Sequence, residues 1–116
     1  MLLGGEIDVK TQATCGAGTV EEIRRYRADV ALLSPVAMHP KHGAMSFEHH
    51  EAAIARAMAE QAQQLVILAD HAKIGQASRV TYARSADIDV VVTDAASRDM
   101  PALPALRRAC ERVVLA

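Results

Sequence analysis

Aromatic residues are nearly absent from this chain. Its 116 residues include no Trp, one Phe and two Tyr, although hydrophobic residues make up 51% of the composition. A core with so few rings has to be filled by aliphatic side chains, so we expect Ala, Val, Leu and Ile to pack closely. Charged residues make up 23%, which is typical of a globular protein. The composition therefore predicts one small domain with an aliphatic core.

The chain also lacks a strong charge and a long apolar run. Its formal net charge of −1 gives no electrostatic attraction to DNA, RNA or an acidic membrane surface. No apolar run approaches the ~20 residues that span a bilayer. The amino terminus reaches Glu6 without the basic and apolar regions of a signal peptide. We therefore expect a cytoplasmic protein that does not bind nucleic acid or membranes through this chain.

Cysteine is scarce, and no motif for a metal or a cofactor occurs. The two cysteines lie far apart in the sequence, which is typical of reduced thiols rather than of a disulfide framework. His39 and His42 fall in a loop with Pro and Gly, whereas His49 and His50 are adjacent and would point apart on a helix. Neither spacing matches the i,i+4 pair of zinc enzymes. We expect no metal and no cofactor.

Four apolar segments predict the strands of a parallel sheet. Unbroken apolar runs rich in β-branched residues are typical of strands buried on both faces. A helix from Ser46, its N-cap, to about Gln63 and a short helix beginning near Pro104 separate the later strands. The alternation of strand and helix predicts a three-layer α/β/α fold with a mostly parallel sheet. The predicted strands are residues 29–33, 65–69, 89–94 and 112–116.

The remaining segments give weaker predictions. Residues 1–5 are expected to end a strand, and residues 6–15 and 34–45 are expected to be loops. Thr19 and Glu22 form a capping box for a helix over about residues 20–27. On the helix that follows Ser46, an apolar stripe at helical spacing is expected to face the sheet, and six alanines suggest close packing. That stripe comprises Phe47, Ile54 and Met58, with Glu51 on the same arc.

Polar side chains follow the predicted strands. Asp70 and Lys73 come directly after one buried strand, and Asp94 ends the next. In a parallel sheet the carboxyl ends of the strands meet at one edge, which is where open α/β sheets bind their ligands. Glu51, near the start of its helix, is expected at the same edge. We therefore predict a ligand site there, although polar residues at strand ends are also common without any function.

The order of several segments resembles a known family. LLGGE, SPVAM, HGAMSFEHHEAAIARAM, LVILADHAKIG and ADIDVVVTD follow one another over nearly the whole chain. Their succession resembles the carboxy-terminal effector domain of DeoR-type bacterial transcriptional regulators. The motif strand-Asp-x-x-Lys-x-Gly, at Asp70, Lys73 and Gly75, and a strand ending in Thr-Asp carry most of the specificity. Ala72 and Ile74 depart from the Ser and Phe that the family usually has there.

The resemblance implies a fold, a ligand and a partner. The fold would be similar to ribose-5-phosphate isomerase, glucosamine-6-phosphate deaminase and the coenzyme A transferases. In such regulators the domain senses a phosphorylated sugar and forms oligomers, and an amino-terminal winged helix-turn-helix binds DNA. That part and the family's Ser/Asn-Gly-Thr-Thr phosphate loop are absent here. We expect residues 1–116 to be one effector-binding domain, incomplete at its amino terminus.

Three hypotheses follow from the residues and the resemblance. In the first, a sensor domain presents Glu51, Asp70, Lys73, Gly75 and Asp94 to a sugar phosphate. In the second, an isomerase-like enzyme of the same fold uses an acid as its base and Lys73 to steady an enediolate. In the third, the domain only forms oligomers. A homodimer or larger homo-oligomer is expected because strand 29–33 would otherwise have an unpaired apolar edge.

Overall fold

The computed structural model describes residues 1–116, which form nine strands, three α-helices and two 3-10 helices. The strands are β1 (Glu6–Asp8), β2 (Ala13–Cys15), β3 (Ala28–Leu33), β4 (Ala37–His39), β5 (Gly43–Ser46), β6 (Ala62–Leu68), β7 (Val80–Ala83), β8 (Val90–Thr93) and β9 (Val113–Leu115). The α-helices are α1 (Ala17–Arg24), α2 (His49–Gln61) and α3 (Leu103–Ala109), and the 3-10 helices are Ser85–Asp87 and Ala95–Asp99.

The four strands predicted from apolar runs form one parallel sheet. Their order is β3-β6-β8-β9, and each neighbouring pair is parallel. The predicted α/β fold with a mostly parallel sheet is therefore confirmed. Because β6 and β8 lie in the interior of the sheet, the residues that follow them come to adjacent positions at its carboxyl edge. β3 is an edge strand with β6 as its only neighbour.

The two faces of the parallel sheet differ, which the sequence did not predict. Ile67 and Val91 point to an inner face and are completely buried. On the outer face, Val30, Leu32 and Leu68 are 48%, 57% and 39% exposed. Their strands were expected to be buried on both faces, but the helices and the antiparallel sheet pack against the inner face alone. The outer face thus remains an apolar surface open to solvent.

Short antiparallel strands occupy segments that were expected to be loops. β1 pairs with β2 inside residues 6–15, and β4 pairs with β5 inside residues 34–45. β7 adds a third strand beside β5. Residues 1–5, by contrast, form no strand. Gly43 has φ +82, and a Cβ there would lie 2.0 Å from the carbonyl oxygen of Ala83, so only glycine fits where the hairpin meets β7.

Helix α1 begins earlier than predicted, and Thr19 does not cap it. The helix starts at Ala17, so Thr19 lies within its first turn. The Thr19 hydroxyl donates to the carbonyl of Gly4 at 2.8 Å and lies 3.0 Å from that of Cys15. The side chain is almost completely buried. Thr19 therefore anchors the amino-terminal segment against the helix rather than satisfying the helix's own amide groups.

Helix α2 packs through its alanines. Ser46 belongs to β5 and the helix begins at His49, so the predicted N-cap is wrong. Phe47 lies before the helix and is 50% exposed, whereas Ala52 and Ala57 are the buried helical residues. Small side chains let the helix axis approach the sheets closely, as the alanine content predicted. The expected stripe of large apolar residues is thus replaced by a narrow alanine face.

One continuous core joins the parallel sheet and the antiparallel sheet of β4, β5 and β7 to α2 and α3. Its sixteen buried residues include Met38 of β4, Ile67 of β6, Ala52 of α2 and Leu106 of α3. Tyr82 is the one aromatic residue of this core, and the others are aliphatic apart from Met38 and Cys110, which agrees with the composition. None of the helices combines the length and apolar character that a membrane span requires.

Enlarging the alanine face of α2 should destabilise the domain. Ala52→Leu adds three carbon atoms at a position that is 1% exposed, and overpacking of this kind costs about 1–3 kcal/mol. Urea unfolding followed by circular dichroism would measure the change. His49→Leu on the exposed start of the same helix should change the free energy of unfolding by less than about 0.5 kcal/mol. Equal stabilities for the two variants would contradict the close packing of α2.

Candidate functional site

A cavity of about 340 Å³ opens at the carboxyl edge of the parallel sheet. It lies where β6 and β8 end, which is the place that an open α/β sheet offers to a ligand. Both polar and apolar groups border it, so it can contact the hydroxyl and carbon faces of a small molecule. The lining residues are Ser34, Leu68, Ala69, Asp70, Lys73, Val92, Thr93, Asp94 and Ala116.

The turn after β6 is fixed by its own backbone and by β4. The Asp70 Oδ1 atom accepts from the Ala72 amide at 3.0 Å, which is an Asx turn. The Met38 amide donates to the Lys73 carbonyl at 3.0 Å, and the Gly75 amide donates to the Met38 carbonyl at 2.8 Å. Met38 is completely buried. The turn that carries Asp70 and Lys73 is therefore anchored to the core.

Gly75 has a backbone role in that turn. Its φ is +80, and a Cβ at this position would lie 2.8 Å from the Cβ of Ala102. A side chain would thus suffer both an unfavourable conformation and a steric clash. Gly75 does not line the cavity. The structure places it beneath the site, where it allows the chain to return to β4.

Lys73 reaches across the end of the sheet. Its Nζ donates to the Ser34 Oγ at 3.0 Å, and Ser34 follows β3 directly. No carboxylate lies within ion-pair distance of this ammonium group. Lys73 therefore brings a positive charge to the cavity that no acidic side chain neutralises by direct contact.

Asp94 is held by His71, a residue that the sequence reading did not select. The Asp94 Oδ2 atom accepts from the His71 backbone amide at 3.0 Å and lies 2.9 Å from His71 Nδ1. Its Oδ1 atom accepts from the Ala96 amide at 2.9 Å and caps the following 3-10 helix. These hydrogen bonds, with His71 first, lower the pKa of Asp94. Asp94 in turn raises the pKa of His71.

Glu51 lies in a different cavity. Asp70, Lys73 and Asp94 line the cavity at the sheet edge, whereas Glu51 borders one of about 150 Å³ near β2. Its carboxylate accepts from the Ser46 hydroxyl at 3.1 Å. The hairpin of β4 and β5 separates β3 from α2 along the chain, so the start of α2 does not follow a parallel strand directly. The predicted convergence of Glu51 with the other three side chains is therefore absent.

A larger cavity of about 570 Å³ lies elsewhere, between α2, β7 and the segment before β8. Arg84 pairs there with Asp87 at 2.8 Å, and Asp89 accepts from the Leu65 amide at 2.7 Å. The Tyr82 hydroxyl is buried without a hydrogen-bond partner, and burial raises its pKa. Most charged groups at this cavity bond to one another or to backbone. The smaller cavity, with its unpaired lysine, is the better candidate site.

The histidines do not assemble into a metal centre. The rings of His39 and His42 stack with their centroids 4.5 Å apart, and His39 Nδ1 accepts from two backbone amides of its turn. His50 lies 3.3 Å from an Asp8 oxygen. No three His, Cys, Asp or Glu side chains come together in a way that would hold a metal ion.

Comparison with known proteins gives a consistent set of similarities. Residues 1–95 match the family model described as the DeoR C terminal sensor domain. The chain is 33% identical over 93 residues to the HTH-type transcriptional repressor GlcR of Bacillus subtilis, covering 80% of this chain and 36% of that protein. It is 27% identical over 95 residues to the glycerol-3-phosphate regulon repressor of Escherichia coli, covering 82% of this chain and 38% of that protein.

An archaeal protein shows a similar match. The HTH-type transcriptional regulator GlpR of Haloferax volcanii is 30% identical over 93 residues, covering 80% of this chain and 36% of that protein. The chain thus spans between a third and two fifths of the length of these relatives. The family match ends just past Asp94, so it includes the whole turn 70–75 and the end of β8.

The strained turn beneath the site can be tested by a pair of glycine substitutions. Gly75→Ala should lower the free energy of unfolding by about 1–3 kcal/mol, because alanine is disfavoured at positive φ and its Cβ would meet Ala102. Gly18→Ala, inside α1 with no atom within 4 Å of the added Cβ, should raise it by about 0.5–1 kcal/mol. Thermal and urea unfolding would compare them. A Gly75→Ala protein as stable as the parent would contradict this backbone geometry.

Proposed function

Because the chain belongs to the DeoR C-terminal sensor domain family, we propose that it binds a phosphorylated sugar at the carboxyl edge of its parallel sheet. Binding would control DNA recognition by a winged helix-turn-helix domain elsewhere in the regulator. We take residues 1–116 as a single effector-binding domain that acts in the cytoplasm and contacts DNA only through that other domain. Asp70, Lys73 and Asp94 at the cavity are the groups that support this assignment.

The observation that carries the proposal is the unpaired ammonium group of Lys73 at the cavity. A phosphate oxygen is a strong acceptor for such a donor, and a charge-assisted hydrogen bond is worth about 1.5–3 kcal/mol. Asp70 uses only its Oδ1 atom within the protein, so its Oδ2 atom is available to accept from a sugar hydroxyl. Ser34, whose Oγ accepts from Lys73 Nζ at 3.0 Å, adds a hydroxyl to the lining of the cavity. Lys73 thus suits the anionic group of a ligand, whereas the free oxygen of Asp70 and the hydroxyl of Ser34 suit its hydroxyl groups.

The relatives favour a sensor over an enzyme. The family model describes a sensor domain, and the relatives from Bacillus subtilis and Escherichia coli are transcriptional repressors. The expectation that this chain is not an enzyme is therefore confirmed. Three of the relatives are named for the glycerol-3-phosphate regulon, which supports a phosphate ester as the ligand class.

A panel of ligands tests the proposal. Calorimetry should detect binding of at least one of glycerol 3-phosphate, ribose 5-phosphate, glucosamine 6-phosphate or fructose 6-phosphate, and no binding of the same compounds without phosphate. Lys73→Met should weaken binding about tenfold or more, because it removes the charged donor. Lys41→Met, on the exposed tip of the β4–β5 hairpin, serves as the control for loss of one positive charge. Equal affinity for the unphosphorylated compounds would refute the proposed ligand class.

We also propose that a second copy of the chain pairs with the free edge of β3. This strand has one neighbour, and Val30 and Leu32 leave its outer side apolar and exposed. An unpaired apolar edge is a template for another strand. Two β3 strands related by a two-fold axis would run antiparallel and join the sheets of both copies, which gives a closed homodimer.

Light scattering with a charged substitution tests this assembly. The parent chain should be a dimer at micromolar concentration, and Leu32→Lys should yield a folded monomer because a lysine on the edge opposes pairing. Leu32 is 57% exposed, so the substitution should leave the protomer intact. Val36→Lys, at a residue that is 51% exposed beyond the end of β3, should leave the dimer unchanged. A parent chain that stays a folded monomer would overturn the proposed pairing.

A further inference from the structure

The sum of the side-chain charges at the candidate site does not favour the binding of an anion. Among the side chains that line the cavity, Asp70 and Asp94 supply two negative charges and Lys73 supplies one positive charge. With a neutral His71 the sum is therefore −1, which repels a phosphate group. A sensor of phosphate esters needs a further positive charge close to these carboxylates.

His71 does not itself line the cavity but contacts Asp94, which does, and it can supply that charge. Its backbone amide and its Nδ1 atom both contact the Asp94 Oδ2 atom, at 3.0 Å and 2.9 Å. An Nδ1 atom that donates to a carboxylate carries a proton, so in the neutral ring Nε2 is the unprotonated nitrogen. The His71 side chain is 52% exposed, and no hydrogen bond occupies Nε2 in the structure. The imidazole can therefore take up a second proton without breaking its contact with Asp94.

We propose that His71 is a positioning residue of the site whose protonation compensates Asp94 and couples the binding of an anionic ligand to the uptake of a proton. With a charged His71 the sum of the four charges rises from −1 to 0. The inference rests on the proposed function, because it concerns the regulation of the same cavity. It adds that the affinity of the domain for its ligand depends on pH.

The direction of the pH dependence follows from the surroundings of His71. Asp94, on the adjacent strand end, and Asp70, in the same turn, are the charged groups that act on the ring, and both raise its pKa above the ordinary 6.5. A bound anion raises that pKa further. Affinity for the anion should therefore increase as the pH falls from the pKa of His71 in the complex to its pKa in the free protein. It should level off below that pKa and above the pKa of the complex.

The probe must not change its own charge in this range. A phosphate ester loses its second proton near pH 6, which would confuse the profile, whereas inorganic sulfate stays divalent. Two-dimensional NMR of the histidine rings, with and without sulfate, would follow His71 directly. We expect sulfate to raise the titration midpoint of His71 and to leave the ring resonances of the exposed His42 in place. The affinity for sulfate should rise about fivefold between pH 8.5 and pH 6, as expected for one added charge close to the anion.

A matched pair of variants separates charge from structure. Asparagine can place an amide donor near the position of Nδ1, so His71→Asn keeps a contact to Asp94 but cannot become charged. We expect it to lose the rise in sulfate affinity at low pH, whereas His42→Asn keeps the rise. The ring titration of the parent protein tests the inference independently, in case His71→Asn folds poorly.

The possible outcomes distinguish this inference from the proposed function. A sugar phosphate that binds with an affinity independent of pH, together with an unmoved His71 midpoint, would overturn the role of His71 and leave the sensor function standing. Failure of sulfate and of every sugar phosphate to bind at any pH would overturn both. A raised midpoint that disappears in Lys73→Met would support both, because the two positive groups would then act on the same anion.

Discussion

The exchange of two backbone hydrogen bonds between Met38 and the turn after β6 is the constraint on which the site depends. Met38 is completely buried and belongs to the antiparallel sheet, while the turn carries Asp70 and Lys73 at the end of the parallel sheet. The two sheets are thereby fixed relative to each other at the position where a ligand would bind. Gly75 makes this possible, since its positive φ lets its amide face the Met38 carbonyl. The side chains of the site thus stand on a rigid backbone rather than on a flexible loop.

The acidic groups at the sheet edge have different tasks because their surroundings differ. Asp94 has both oxygens engaged by backbone amides and by His71, so it holds the end of β8 against the turn. Asp70 bonds only to the amide of Ala72 and keeps one oxygen for an external partner. The sequence shows two strands that end in Asp and gives no reason to distinguish them. The difference arises from a neighbour 23 residues away.

The parts of the fold that were predictable are those with a strong local signal. Runs of β-branched residues identified the parallel strands, and their alternation with helices gave the parallel sheet. β4 and β7, at three and four residues, are too short to show a period. β4 forms in a hairpin with β5, and β7 forms only because it pairs with β5 far back along the chain. The hairpin that contains β4 also explains why the predicted position of Glu51 was wrong, because β4 and β5 lie between β3 and α2 in the chain. His71 carried no signal, because its partner Asp94 is a neighbour only in three dimensions.

The open face of the parallel sheet and the candidate site are not independent. Leu68 and Val92 belong to the outer face by their register, and the same two residues line the cavity beside Asp70 and Asp94. Parallel sheets are normally covered on both faces, so whatever covers this face also forms a wall of the ligand site. A ligand would then contact both the charged edge and the covering element. By linkage, each would strengthen the binding of the other. A partner that covers the open face would therefore share Leu68 and Val92 with the ligand, which would give ligand binding a direct route to that interface.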